Sequence, residues 1–212
     1  MQPMGGSVVA GVRTVVASPY LLGVCGWLMC YALLSTSLYF QQIEIVAREI
    51  AEPAARTRLF ATVDLVVNSL TLIIQILLFP RLVTALGTGW VLALMPLLSV
   101  IGFAALGAIP TLAVLIVFGV ARRAGEFAIS KPMREALFTV VPREEKYKAK
   151  NFIDTVVYRG GDTASGWMFN GLRSLGLSLA AISFAMVPIA IAWTALSFFL
   201  GRKHAELRTR DR

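Results

Sequence analysis

Two adjacent arginines, Arg122 and Arg123, stand about 12 residues into an otherwise apolar segment that opens at Pro110. At about 1.5 Å per residue that is roughly 18 Å along a helix, past the middle of a hydrocarbon layer about 30 Å thick. A guanidinium at that depth is costly and is normally retained for function. Its chemistry is the planar fork of donors that meets a phosphate or carboxylate two bonds at a time. Glu126 follows at helical spacing from both arginines and can partner either. The same three residues therefore fit two roles: contacts for an anionic solute, or an internal ion pair that locks helix ends.

A second set lies downstream. Asn151, Asp154, Tyr158, Asp162 and Ser165 recur every three or four residues, which is one face of a helix. Lys150 and Arg159 flank that face. With Arg122 and Arg123 they would clamp an anion, and Glu126, Asp154 and Asp162 would hold those cations in the empty state. Upstream, Asp64, Asn68, Thr71 and Gln75 share a face by the same spacing. Asp64 there suits a proton or cation site, and equally a hydrogen bond to a neighbouring helix. Tyr39 and Gln42 extend a polar zone that begins at Tyr31 and Ser35. A carboxylate facing lipid is costly, so these stripes should look into a bundle or a cavity. Polar helix–helix packing is the other use of such a face. Gly160-Gly161 permits close helix approach or bending.

The remaining composition excludes much. The one histidine, His204, sits in a charged terminal stretch expected to be solvated, and the two cysteines, Cys25 and Cys30, lie in one apolar block. That leaves no zinc motif, no His-based triad and no disulfide framework. No enzyme activity and no cofactor are expected.

The elements that must position these residues are membrane helices. Hydrophobic residues make up 57% of the chain and charged residues 15%, with mean hydropathy +0.73. Soluble domains are about 45–50% apolar and about 25% charged. Apolar blocks near the length of a bilayer crossing predict six spans at about 19–40, 58–79, 90–108, 110–130, 151–175 and 177–200. Residues 1–18 read as a linker or cut end and 201–212 as a basic tail. Lys131-Pro132 is expected to break the fourth span, and 133–150 to form a basic loop with a short helix near 134–140.

Thirteen Lys and Arg fall on one side of this arrangement: Arg13, Arg81, the six from Lys131 to Lys150, and five in the tail. Arg48, Arg56, Arg58 and Arg173 are the four on the other. The positive-inside rule makes both termini cytoplasmic and reads the net charge of +8 as orientation rather than nucleic-acid binding. Spans one, two, four and five carry polar faces; three and six are plain and should face lipid. Inner, inner, outer, twice over, is the order of a 3+3 inverted repeat in one six-helix half of a major-facilitator fold. The expected fold is thus all-α, one such half, working with a second, N-terminal six-helix half.

The run KPMREALFTVVPREEKYKAKNFIDTVVYRGGD at Lys131–Asp162, with STSLYFQQ at Ser35–Gln42 and the Asp64–Gln75 pattern, resembles the ATP/ADP antiporter (nucleotide transporter) family of plastids and intracellular bacteria. The resemblance spans nearly the whole chain and matches the second half of a family member. It implies alternating-access exchange of nucleotides such as ATP for ADP, in a bacterial inner membrane. Two other readings stand beside it: a proton-coupled facilitator for another solute, with Asp64 or Asp154 as carrier, and a truncated membrane protein that transports nothing.

Overall fold

The computed structural model describes residues 8–210. Residues 1–7 of the expected linker and 211–212 of the tail lie outside the described residues, as do the side chains of Val8, Val9, Ala10, Arg143, Glu144 and Arg210. The described chain is helical almost throughout. Helix α1 is Val8–Ala17, α2 Pro19–Glu49, α3 Pro53–Ile73, α4 Phe79–Ala108, α5 Leu112–Gly125, α6 Lys131–Leu137, α7 Arg143–Phe152, α8 Tyr158–Ser174 and α9 Leu179–Arg210. Three stretches are long and apolar enough to cross a membrane: Pro19–Glu49, the 56 residues Pro53–Ala108, and Leu179–Thr209.

Local chemistry sets the boundaries. Ser18 caps α2 by accepting the Leu21 N–H, and Pro19 follows where a missing N–H costs nothing. Pro53 opens α3 in the same way. Gly87 divides α4 at φ 74° and ψ 169°, a backbone no side-chain-bearing residue adopts readily, so the long apolar stretch is two rods, 53–86 and 88–108. Helix α8 ends in a Schellman turn: Gly176 (φ 83°) donates to the Arg173 carbonyl and Leu177 to that of Leu172.

Three π-turns interrupt the rods, at Ile74–Leu78, Glu126–Ser130 and Ile153–Val157. The first two lie just before Pro80 and Pro132. A proline ring collides with the carbonyl four residues back, and widening the preceding turn relieves the clash. This corrects the expected break at Lys131-Pro132. The helix passes through the proline from Leu112 to Leu137, ending in a 3₁₀ turn at Phe138–Val140. The expected loop is correspondingly short, since α7 begins at Arg143 and joins α8 through the third π-turn. Residues 8–17, placed in a linker by composition, form α1, and Gly11 lies tight against Phe152 of α7.

Helix α2 is the hub. One face meets α9, where Trp27 Nε1 donates to Ser197 Oγ at 2.9 Å and Ser183 Oγ to Gln41 Oε1 at 2.6 Å, all four residues buried. The sixth span is therefore not plain on this side. Its other side leaves Phe184, Ile191 and Phe199 exposed. Another face of α2 meets α8, where Phe40 stacks on Phe169 at 5.0 Å and Gly161 leaves room for Ala32 and Met29. The pair Gly160-Gly161 thus splits its roles, Gly161 for packing and Gly160 on open space. The end of α9 is helical to Arg210, with Arg202, Lys203, Glu206 and Arg208 exposed as expected of the tail and His204 buried against that expectation. The His204 ring nitrogen lies 3.2 Å from the Ala136 carbonyl. Tyr20 donates to the next carbonyl, Leu137, at 2.7 Å, so α2 and α9 together bind the free end of α6.

Candidate functional site

Residues Trp27, Tyr31 and Ser35 follow one another at intervals of four along α2 and so stand in a column. Trp193 of α9 joins that column, 5.3 Å from the Trp27 ring and 6.0 Å from the Tyr31 ring, and Tyr158 stacks on Tyr31 at 6.1 Å. Arg122 closes its end. The guanidinium carbon lies 5.4 Å from the Tyr31 ring centroid, and Nη1 donates to Ser35 Oγ at 3.0 Å. A desolvated cation over an aromatic face gains about 2 kcal/mol. Arg122 is 6% exposed, yet its Nε and Nη2 have no hydrogen-bond acceptor among the described residues. An arginine pulled out of water costs several kcal/mol unless its donors are matched. Here two are left over, both inside the bundle.

The expected ion pair with Glu126 does not form in that way. Glu126 is close enough for its charge to act on Arg122, but no hydrogen bond joins the two among the described residues. Arg123 turns the other way, to Asp64 on α3 at 2.8 Å. The α-helical step of 100° per residue gives adjacent arginines different neighbours, and α3 packs against α5 on the Arg123 side. Asp64 thus takes the helix-bridging role. Since both side chains are about half exposed, the pair is worth about 0–1 kcal/mol to the fold. Asp64→Asn should accordingly shift Tm by less than about 4 °C by calorimetry. The charge-exchanged pair Asp64→Arg with Arg123→Asp should restore most of whatever solute turnover the single change removes. If the exchanged pair is as impaired as the single variant, Arg123 meets solute directly.

Lys150 is also drawn elsewhere. Its ammonium sits between both carboxylate oxygens of Glu135 on α6, at 2.6 and 2.9 Å, tying α6 to α7. Arg159 is exposed and acts by charge on Asp162, one turn on, rather than joining Arg122. Asp154 is half-buried, and no hydrogen bond or ion pair joins it to other described residues. The four expected cations are therefore dispersed, with only Arg122 at the aromatic column. Arg134, counted as part of a loop, takes their place. The unbroken helix carries it back toward Glu126 and Tyr158, both of which feel its charge, and its Nε is buried without a partner.

Beside the column lies an open cleft of about 350 Å³ lined by Thr36, Tyr39, Phe40, Asp162, Thr163, Gly166, Trp167 and Asn170. Thr36 Oγ1 donates to Asp162 Oδ1 at 3.4 Å. Tyr39 and Trp167 stand 60% and 76% exposed over it. Thr36 neighbours Ser35, so cleft and arginine share one turn of α2. Asn68 is exposed on α3 with Asp64, and Gln75 is exposed in the π-turn that follows. Gln42 is only half-buried. Its neighbour Gln41 is the buried amide, and sequence offers no signal for that choice beyond the serines on α9. No family model, curated protein or solved structure matches the chain.

Proposed function

We propose that the chain is a six-helix half of a secondary transporter of the major-facilitator type, related to the ATP/ADP antiporters, and that it exchanges an anionic, phosphorylated solute. The observation that carries this reading is Arg122, buried, oriented by Ser35 and Tyr31, with two guanidinium nitrogens left for a ligand. A phosphate satisfies both at once, as a single hydroxyl or carbonyl does not. Glu126 supplies a competing charge for the empty state. Binding then exchanges an internal interaction for an external one, which gives alternating access its coupling. The exposed polar faces of α3 and α8 suit a second bundle across a central pathway, and in this reading the rods 112–137 and 143–174 cross beside the three stretches long and apolar enough to span. The cytoplasmic side is the one bearing α6 and α7, at the bacterial inner membrane.

The test is exchange in proteoliposomes holding unlabelled ADP, with labelled ATP outside, alongside equilibrium binding of labelled ADP to the solubilised chain. Uptake that requires internal nucleotide is the expected result. Uptake that follows an imposed proton gradient and ignores nucleotide replaces the proposal with the proton-coupled alternative. Neither uptake nor ADP binding overturns it.

A further inference from the structure

The outward stripe of α9 changes character at a single level. Ala195, Phe198 and Phe199 form its apolar part, and Arg202, Lys203 and Glu206 continue it at the same helical spacing. Together these six line a groove of about 500 Å³. Phe199 is 40% exposed, and Trp90 of α4, itself 55% exposed, packs edge-on against Phe198 at 4.9 Å. The floor is fixed, because α4 and α9 meet backbone to backbone at Gly89 and Gly201. Lys203 is turned to Glu206 at 2.7 Å, while Arg202 is exposed with no ion pair or hydrogen bond among the described residues.

We propose that this groove seats an anionic phospholipid, its acyl chain along Phe198 and Phe199 and its phosphate on Arg202. The apolar-to-cationic step matches an amphiphile in both polarity and charge, and a tryptophan at the rim is the usual companion of the headgroup level. A free phosphate would leave the two phenylalanines unused. A second protein helix would have to bury Arg202 without the anion it needs. The site rests on α9 crossing the membrane and is independent of what the chain transports. Glu206 holds Lys203 in reserve and so limits affinity.

Native mass spectrometry of the chain from micelles containing phosphatidylglycerol and phosphatidylcholine reads the preference directly. The wild type should retain phosphatidylglycerol about fivefold more tightly, the value of one cation near an anionic surface. Arg202→Gln should bring that ratio close to one. Glu206→Gln should raise it by about twofold or more by releasing Lys203, a gain that misfolding cannot imitate. Millimolar glycerol phosphate should not displace the lipid. Equal retention of the two lipids by the wild type overturns the proposal, as does a ratio unmoved by both variants. Displacement by glycerol phosphate overturns it in favour of a soluble anion.

Discussion

Replacing Arg122 with Met, together with Glu126→Gln, should abolish binding of the phosphorylated solute and leave the fold as stable as before or more so. The two outcomes follow from the same geometry. Arg122 is buried with one donor on Ser35 and two donors without a partner. A buried charge that is only partly matched burdens the fold. Exchanging such a group for an apolar one of similar volume is typically neutral or stabilising by about 1–4 kcal/mol. Each kcal/mol is worth about 2–4 °C of Tm in a chain of this size. Methionine keeps the packing against Tyr31, and glutamine at 126 avoids stranding a carboxylate. Binding moves the opposite way. Two charge-assisted hydrogen bonds are lost at about 1.5–3 kcal/mol each, at least a hundredfold in Kd. Arg122→Lys should recover little, since an ammonium is a point donor and cannot reproduce the fork. Calorimetry and labelled-ADP binding on the same preparations decide the matter. A structural clamp would show a lower Tm with binding intact, and the assignment of Arg122 to the solute would then be wrong.

Much of this arrangement was legible in the sequence because periodicity is a local signal. The stripes follow from spacing alone, and Asp64, Asn68 and Gln75 are exposed together with most of α3. The burial of Arg122 fits its place in an apolar run, and its Ser35 and Tyr31 contacts come only from packing. Partners are a different matter, since they are set by how helices pack. Glu126 is the nearest carboxylate to Arg123 in sequence, yet Asp64, 59 positions away, is its partner, because α3 lies against α5 on that side. Lys150 meets Glu135 only because α6 and α7 are joined by a short connection where a long loop was expected. That error traces to one residue. Pro132 predicts a break when read alone, and a π-turn ahead of it removes the clash without ending the helix. Once the helix continues, Arg134 moves from a loop to the neighbourhood of Glu126. Likewise Ser183, Trp193 and Ser197 carry no stripe strong enough to stand out in an apolar span, and their role appears only opposite Gln41 and Trp27.

The π-turns connect these corrections to function. They fall in the second, fourth and fifth rods, each of which carries a polar face, and none lies in 88–108 or in α9. A π-turn exchanges some regular hydrogen bonding for adaptable geometry, which is why such turns concentrate at functional sites. The one at Glu126–Ser130 begins on the residue that shares the field of Arg122. The rod 88–108 and α9, by contrast, pack closely through Gly89 and Gly201, although each carries an interior proline, Pro96 and Pro188. This pair is a closely packed backing, and the π-turns lie in the other rods.

The backing includes one backbone-to-backbone contact, and two glycine substitutions should have opposite signs there. In an ordinary helix interior Gly→Ala stabilises by about 0.5–1 kcal/mol. Gly89→Ala, in the first turn of the rod 88–108, should stabilise by a smaller amount, since a Cβ there would meet the Gly201 Cα at a comfortable 3.7 Å. Gly201→Ala should destabilise. Its Cβ would fall 2.2 Å from the Gly89 Cα and 2.8 Å from the Gly89 nitrogen. Those are backbone atoms, so no side chain can swing aside and the helices themselves must separate. Forcing a methyl into a closed contact costs about 1–3 kcal/mol, against the expected propensity gain, for a drop of about 2–12 °C in Tm. The displacement reaches the site through α9. Ser197 lies one turn before Gly201 and holds Trp27, the base of the aromatic column under Arg122. Gly201→Ala should therefore also weaken ADP binding, by less than loss of Arg122 does. Equal Tm values for the two alanine variants would show that α4 and α9 are not in backbone contact at this level.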